Sequence, residues 1–483
     1  MLTIILVGLP LLFSLLVWVA GDRYSRGLTI SGALAGLALT IFSLSVHSQN
    51  PGSEMLAFQL PWLPQLGVSF SLAADGIALL MIFLANLLLP LIVFSSFSTQ
   101  YKHQHVLYSM MLLMQSAMIG SFLATDGFLF YIFWEVALIP IYLICLIWGA
   151  ENSKKITLKF FLYTLAGSLF MLAALIYIYL QTPDNSFAIQ SLYAVAREMS
   201  LPEQAWIFGA FFFAFAIKMP IFPLHTWQPG TYYTAPIAGV MMLSAIMLKM
   251  ATYGMIRWVL PMVPDGVELL GPYAMGLCIT SILYGSFMAV VQKDFKLLIT
   301  YASVAHVGLI CAGILSNNVE GLQGSLADML THGVNTVGLF FVYDIIERRT
   351  GTGEMKFLSG IRAVNAPLGF LFFVILMGSI GLPFTNGFVG EFLMLLGIFK
   401  YYWLAGILAG LSIILGAIYM LRAFQKIMLG EPSTQVANFA PLSGTERSLL
   451  YILVVLVIGF GVYPTSFLII TEGSVIALLD SLK

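Results

Sequence analysis

The sequence predicts an all-α polytopic membrane protein of about fourteen transmembrane helices. Sixty per cent of its residues are hydrophobic and only nine per cent are charged, against about 25% charged in ordinary soluble domains. Apolar windows of about 20 residues, the length of helix that spans a bilayer, recur from one end of the chain to the other. The longest loops, near 47–75 and 181–203, hold fewer than thirty residues each, so no soluble domain is predicted.

Short polar segments separate the apolar windows into fourteen candidate spans. They lie near 2–20, 28–46, 76–97, 105–124, 126–148, 157–181, 204–225, 238–262, 270–292, 296–316, 323–347, 364–400, 403–428 and 446–472. The twelfth window is too long for one straight helix, and both it and the seventh contain prolines. The predicted organisation is three N-terminal helices (1–104), a first repeat (105–262), a second, inverted repeat (270–428) and a C-terminal helix 14 (429–483).

The distribution of basic residues predicts the orientation, because lysine and arginine accumulate on the cytoplasmic side. Fifteen of the 21 basic residues lie in loops on one side. Four lie on the other side (Arg197, Arg257, Lys400 and Lys483), and Lys218 and Lys249 belong to neither side. Both termini are therefore predicted outside the cytoplasm. We expect a bacterial inner membrane, with both ends of the chain on the periplasmic side.

Several function classes are excluded by composition. The three cysteines (Cys145, Cys278 and Cys311) are far apart in apolar segments, without metal-ligand or haem-attachment spacing. No Gly-rich phosphate loop is present, and a net charge near zero argues against nucleic acid as a partner. We therefore expect no metal and no cofactor in this chain. The N-terminal segment has no basic n-region, which predicts a retained first span rather than a cleaved signal peptide.

Four charged residues stand deep within predicted spans: Glu135, Lys218, Lys249 and Glu391. A charge at the centre of a lone spanning helix costs about 2.5–3.5 kcal/mol on insertion scales, so such residues usually mark functional sites. One alternative is that they form buried ion pairs that fix helix register, although apolar replacements would usually stabilise as well. The favoured interpretation is proton handling. Burial disfavours the charged forms of lysine and glutamate, whereas a nearby opposite charge favours them.

A Glu135–Lys218 pair of variable separation would act as a switchable proton site, because the lysine releases its proton more readily once its partner moves away. His225, His306 and His332 lie within or at the ends of spans, where imidazole can change charge near neutral pH. Each of them could instead be an ordinary buried polar residue. Asp328 precedes His332 by four residues and shares its helix face, with an open role.

The interrupted spans point to the same region. Pro220, Pro223 and Pro229 are predicted to break the seventh helix in "FAIKMPIFPLHTWQP" (215–229), and "GLPFTNGFVGEF" (381–392) is predicted to break the twelfth. Non-helical backbone at membrane depth occurs only where it is buried in protein or lines an aqueous cavity. Broken helices at corresponding positions of two halves are typical of inverted-repeat transporters, here spans 4–8 and 9–13.

Five motifs carry a family resemblance. They are "FYIFWEVALIPIYLI" (130–144), "IKMPIFPLHTWQP" (217–229), "MLKMATYG" (247–254), "LLITYASVAHVGLI" (297–310) and "MLTHGVNTVGLFF" (329–341). In this order they resemble the antiporter-like proton-pumping subunits of respiratory complex I, and they are also similar to subunits of Mrp sodium/proton antiporters. Glu391 within "LPFTNGFVGEF" and the absence of a long C-terminal lateral helix resemble the M-type chain of complex I.

The resemblance implies a role for each matching residue. Glu135 corresponds to the helix-five glutamate and Lys218 to the helix-seven lysine with which it pairs. Lys249 corresponds to the connecting lysine, His306 and His332 to the central relay, and Glu391 to the terminal site. Gln228–Tyr232 departs from the family's "PDAH" continuation of this motif, which leaves the uptake role of that loop open, and Asp328 matches no family position.

The resemblance also implies partners. FMN, iron–sulfur clusters and quinone are expected in other subunits, and L-type and N-type chains are expected as neighbours in the lipid bilayer. The alternatives are a subunit of an Mrp-type sodium/proton antiporter, a homologous subunit of a membrane-bound hydrogenase or ferredoxin-linked complex, and a structural scaffold. Side-chain types alone do not separate proton from sodium transport, and they do not identify the electron donor or the quinone.

Overall fold

The computed structural model describes residues 1–482, so Lys483, one of the residues used for orientation, lies outside the described residues. The N-terminal region begins with α1 (Leu2–Ala20) and α2 (Asp22–Gln49). A short hairpin of β1 (Ala57–Leu63) and β2 (Val68–Ala73) follows, and then α3 (Gly76–Ser96) and α4 (Gln104–Leu123). Single 3₁₀ turns, Glu54–Leu56 and Pro64–Leu66, flank β1.

The middle of the chain contains shorter helices. They are α5 (Gly127–Val136), α6 (Leu138–Trp148), α7 (Ser153–Tyr179), α8 (Ile189–Glu198), α9 (Leu201–Lys218), α10 (Gln228–Thr234), α11 (Ile237–Met242) and α12 (Leu248–Gly254). Two π-helical segments, Leu243–Met247 and Met255–Val259, join α11 to α12 and continue α12, so that these pieces form one rod. Single π turns inside α-helices are often found at functional sites.

The last part of the chain is again helical. It contains α13 (Pro264–Val291), α14 (Phe295–Leu315), α15 (Val319–Thr350), α16 (Ile361–Val364), α17 (Ala366–Ile380), α18 (Asn386–Tyr401), α19 (Trp403–Met428), α20 (Gly444–Val462) and α21 (Thr465–Asp480), with a 3₁₀ turn at Met355–Phe357. Twelve candidate spans among the described residues are long and apolar enough to cross a membrane, which confirms the predicted fold class. The count of fourteen, which adds α9 and the pair α17 and α18, stays a prediction.

Both predicted helix breaks are present. α9 ends at Lys218, and the chain turns through nine residues before α10 begins at Gln228. α17 ends at Ile380, and α18 begins at Asn386. Pro229, however, does not break a helix. It lies in the first turn of α10, where its missing N–H has no intrahelical partner to lose.

The predicted last span, near 446–472, is wrong at its C-terminal end. α20 stops at Val462, and Pro464 precedes the separate helix α21. The Gly76 N–H at the start of α3 donates to Ser474 Oγ of α21 at 3.0 Å, and Thr471 Oγ1 donates to Gln323 Oε1 of α15 at 2.9 Å. α21 therefore lies across the ends of α3 and α15 rather than continuing the span.

The β-hairpin was not predicted. Its strands are antiparallel, with Ala57 opposite Ala73 and Leu60 opposite Phe70. β1 shows no alternation of buried and exposed side chains, so it lacks the sequence pattern of a half-buried strand. The N-terminal ammonium donates to the carbonyls of Met55 and Ala57 at 3.1 and 3.0 Å. We call the end of the bundle with the N-terminus, the hairpin, α8 and α21 the hairpin face, and the opposite end the basic face.

The helices differ greatly in burial, and the most buried of them carry candidate site residues. The rod Ile237–Val259 is buried along its whole apolar window, and α15 along 94% of it. α1, α2, α19 and α20 bury between 28% and 39% of theirs, and they form the outer wall. The two most enclosed segments, the rod and α15, carry Lys249, Asp328 and His332.

Candidate proton-relay site

Lys218 ends α9 in a buried position, 3% exposed, at the first helix break. Its Nζ lies 3.6 Å from the centroid of the Trp134 ring and donates to the Trp134 carbonyl oxygen at 3.3 Å. An aromatic face attracts a cation, so Trp134 stabilises the ammonium group. Trp134 was not predicted as a site residue, although its position next to Glu135 in "FWEV" was a signal.

Glu135 and Lys218 interact electrostatically, but they do not form the expected direct ion pair within the described residues. Glu135 Oε1 has no hydrogen-bond partner there, and the carboxylate lies beside Ser168 of α7. Glu135 follows Trp134 in α5, so a small movement near the junction of α5 and α6 at Ala137 would change its distance to the ammonium group. Glu135 and Lys218 therefore influence each other's charge without a direct contact between carboxylate and ammonium group.

Lys249 is 1% exposed and lies in α12, between the two π segments. Its Nζ donates to the Ser244 carbonyl oxygen at 2.9 Å, and it lies 2.8 Å from His332 Nδ1. A π segment leaves carbonyl groups without their usual i+4 partners, and the ammonium group occupies such a position. The predicted connecting lysine and one predicted relay histidine are therefore in direct contact.

The central histidines lie close together. The rings of His306 and His332 are 5.5 Å apart between centroids, and His306 Nδ1 lies 3.6 Å from Glu391 Oε1. The distance from His306 to Glu391 exceeds that of a direct hydrogen bond. A cavity of about 10 Å³, lined by His306, Asp328, His332 and Glu391, lies between these groups. It has room for about one water molecule.

Glu391 lies in the first two turns of α18, just after the second break, and is 6% exposed. Gly381 ends α17 with φ +73°, and a Cβ at this position would clash with Glu391 Oε2. Only glycine suits both the left-handed backbone and this close approach. A second cavity of about 10 Å³, lined also by Ser412 and Tyr419, lies against Glu391.

His225 and Asp328, the two secondary candidates, have different surroundings. His225 is 4% exposed and packs against the rings of Phe222 and Tyr284, and its Nδ1 has no hydrogen-bond partner in the described part of the chain. It shares no described contact with the other relay residues. Asp328, by contrast, is 2% exposed and lines the same cavity as His306, His332 and Glu391.

A third buried lysine, Lys296, was not predicted, because its position suggested a loop residue. Lys296 lies at the start of α14, 4% exposed, and donates to the carbonyls of Tyr233 and Ala235 at 3.0 and 3.1 Å. Its Nζ lies 5.6 Å from the centroid of the Tyr343 ring. The apolar run that begins directly after Lys296 was the available signal.

An ion pair that was not predicted lies at the hairpin face. Arg257 donates to Asp75, which caps α3 by accepting the Ala78 N–H at 2.9 Å. Burial raises the pKa of Asp75, but the Arg257 guanidinium and the Ala78 N–H lower it more, so this pKa lies below its usual value. A cavity of about 230 Å³ next to the pair is lined also by Tyr193 and Tyr253.

Comparison with known proteins identifies the family of this chain. Residues 124–416, more than half of the chain, match the model described as "NADH:quinone oxidoreductase/Mrp antiporter, TM". The chain belongs to this family. The match includes every residue assigned to the relay, from Glu135 to Glu391.

Members of the family resemble the chain over nearly its whole length. NADH-quinone oxidoreductase subunit M of Rickettsia typhi is 37% identical, over 91% of this chain and 89% of that protein. In the structure of respiratory complex I from Thermus thermophilus with bound NADH, one chain is 32% identical, with a TM-score of 0.92 and complete coverage of both chains. A chain of the Mrp complex from Dietzia is 21% identical, with a TM-score of 0.85 over 99% and 97%, a likeness of fold. The predicted M-type resemblance is therefore confirmed, and the Mrp likeness is more distant.

Proposed function

We propose that this chain is a proton-translocating membrane-arm subunit of NADH:quinone oxidoreductase. Its similarity to subunit M and to a complex I chain along nearly the whole sequence supports the complex. The observation that carries the translocating role is the group of ionisable side chains His332, His306 and Glu391 around one water-sized cavity, with Lys249 in direct contact with His332. A structural scaffold would have no need to bury these groups together, since apolar side chains would stabilise it as well.

The first step of the proposed mechanism is the switch at Lys218. With Glu135 near, the ammonium form is stabilised by the carboxylate and by the Trp134 ring. When Glu135 moves away, burial makes the charged form less favourable, and Lys218 gives a proton to a neighbouring water molecule. Electron transfer in other subunits is proposed to drive that movement, so no redox reaction occurs in this chain.

The second step uses the central groups. Lys249 donates a proton toward His332 Nδ1, which is already within hydrogen-bond distance of it. A water molecule in the cavity connects the imidazoles of His332 and His306 with the Glu391 carboxyl group. Each group returns to its starting state after one proton has passed. His225, which packs apart from these residues, is proposed as a secondary group on the uptake side.

The proposal places this chain among partner subunits. FMN, iron–sulfur clusters and quinone are bound elsewhere in the complex, and L-type and N-type chains are the neighbours within the bilayer. The two repeats, 105–262 and 270–428, each contribute one broken helix. The membrane is the bacterial inner membrane, with the hairpin face and both termini on the periplasmic side, as the distribution of basic loops predicts.

Purification with its partners tests the proposed function. The chain is tagged, the membrane is solubilised gently, and the copurifying proteins are identified while NADH:quinone activity is assayed. Recovery of flavin and iron–sulfur subunits with that activity is expected. Recovery of small antiporter subunits alone, without redox activity, would move the chain to the sodium/proton antiporters. Recovery of hydrogenase subunits would move it to the hydrogenase-linked complexes.

The Glu391→Lys variant is expected to retain part of its proton movement. A cation at position 391 would lie against the C-terminal end of α17, where a positive charge is favourable. Lysine also carries an exchangeable proton, whereas alanine does not. Proton movement per quinone reduced, measured in membrane vesicles, should fall by less than about tenfold for Glu391→Lys and by more for Glu391→Ala. Complete loss in an assembled Glu391→Lys complex would contradict the equivalence.

A further inference from the structure

The proposed relay assigns no role to the Asp328 carboxylate. Its Oδ1 accepts a hydrogen bond from Thr331 Oγ1 at 3.2 Å, and its Oδ2 has no hydrogen-bond partner among residues 1–482. The side chain is 2% exposed in the N-terminal third of α15, one of the most enclosed helices. An ionised carboxylate that is buried without a partner costs several kcal/mol, so it takes up a proton or acquires a counter-charge.

The second carboxyl group is close to it. Gly390 packs directly on α15, because a Cβ at position 390 would lie 2.9 Å from the Asp328 nitrogen and 2.9 Å from its Cβ. Glu391 is the next residue, and its side chain lines the same cavity as Asp328. The two carboxyl groups therefore share an enclosed site and repel each other when both are ionised.

The surroundings of the two carboxyl groups are unequal. Glu391 Oε2 lies against Gly381, at the negative end of α17, where an ionised carboxylate is unfavourable. Asp328 is on the side of Lys249, and the ammonium and carboxylate attract each other. His332 follows Asp328 by one turn on the same helix. While Lys249 is charged, the shared proton therefore favours Glu391. When Lys249 is neutral, the proton can lie on either carboxyl group.

We propose that Asp328 and Glu391 form a carboxyl pair that stores one proton between them, and that Asp328 passes this proton between His332 and Glu391. The inference rests on the proposed function. When Lys249 releases a proton, His332 accepts it at Nδ1 and gives its other ring proton, through the cavity water, to the pair. Lys249 then becomes neutral and the pair gains one proton. The pair afterwards releases a proton from Glu391, so no proton is created or lost and no electron is transferred.

The charged and titratable groups that face the pair are few. They are Lys249 in α12, His306 in α14, His332 in α15 and Tyr419 in α19, where Tyr419 lies beside Glu391. Interacting carboxyl groups titrate as a pair in two macroscopic steps. The pH profile of proton movement should therefore contain two ionisations from this pair, and loss of either carboxyl group should leave one.

The test uses the assembled complex in membrane vesicles with the Asp328→Asn variant. Proton movement per quinone reduced is expected to fall about 100-fold, at the low end for loss of a proton-transfer group. The pH profile is expected to lose one ionisation. The double variant Asp328→Asn/Glu391→Gln should be no worse than the worse single variant, because residues that act as one unit are not additive. Thr331→Val keeps the carboxyl group and removes its hydrogen bond, so it should shift the pH profile but keep both ionisations.

Independent, multiplying losses in the double variant would overturn the pair. Full proton movement with an unchanged profile in Asp328→Asn would also overturn it. The pH profile of Glu391→Gln gives an answer even if Asp328→Asn fails to assemble: one remaining ionisation supports the pair, and two remaining ionisations contradict it.

Lys218→Ala distinguishes failure of the carboxyl pair from failure of the proposed function. If it abolishes proton movement while Asp328→Asn does not, the inference fails and the proposed function stands. If neither variant has an effect, the proposed function fails as well.

Discussion

Replacement of Lys218 by alanine is expected to abolish proton movement coupled to quinone reduction, with a loss of about 100-fold or more. Alanine cannot carry a proton, and it leaves the Trp134 ring and the Trp134 carbonyl without the ammonium group that lies against them. Lys218 also stands at the end of α9, where no other described ionisable side chain replaces it in this position. Proton movement and NADH:quinone activity are measured in the same membrane vesicles, with assembly followed by the tag.

Two further variants separate charge from proton release. Lys218→Arg keeps a cation over the Trp134 ring, but guanidinium does not deprotonate in proteins, so this variant should be as inactive as alanine. Lys400→Ala is the matched control, because Lys400 is half-exposed and pairs with Glu320 at the end of the bundle. It should behave like the unaltered protein. Normal proton movement in an assembled Lys218→Ala complex would remove Lys218 from the relay.

Replacement of Glu446 by alanine is expected to lower the free energy of unfolding by about 3–5 kcal/mol, as when one member of a buried ion pair is removed. The Glu446 side chain is 2% exposed and accepts from Arg348 at 2.9 Å and from Arg349 at 2.6 Å. It also accepts the Ser443 N–H at 2.8 Å in a capping box that begins α20. The alanine variant would leave two guanidinium groups without this partner and the Ser443 N–H without its acceptor in the capping box.

Thermal unfolding of the purified complex in detergent, followed by loss of this subunit, measures the effect. Glu446→Gln keeps a capping side chain and loses only the charge, so its destabilisation should be intermediate. Glu431→Ala changes an exposed glutamate in the loop before α20 and is expected to have no measurable effect. Equal unfolding temperatures for Glu446→Ala and Glu431→Ala would show that the cluster does not stabilise the fold.

Much of the fold follows from hydropathy, because a bilayer allows only helices whose backbone groups are satisfied internally. The two broken helices were predictable for the same reason, since Pro220 and Pro383 remove donors that nothing in lipid would replace. The hairpin and α21 were not predictable. Both lie at the hairpin face. β1 has no alternation of buried and exposed side chains, and the apolar residues of α21 resemble a continuing span.

The relay residues were predictable as types, because each is a charged or titratable group at membrane depth. Their contacts were not. Sequence spacing placed Asp328 and His332 on one helix face, but only the packing of α15 on α18 at Gly390 brings Asp328 to Glu391. Likewise, the sequence pairs Lys218 with Glu135 by charge, whereas the folded chain places the ammonium group over the neighbouring Trp134. Such contacts depend on crossing angles that a linear pattern does not contain.

The position of α21 has a consequence for motion. α15 is held at its first turns by the bond between Gln323 and Thr471 of α21, and at its last turn by the arginines that bind Glu446. A helix anchored at both ends does not slide or tilt without breaking one anchor. We therefore expect α15 to stay in place, so that the proposed proton transfer depends on side-chain rotation rather than on movement of this helix.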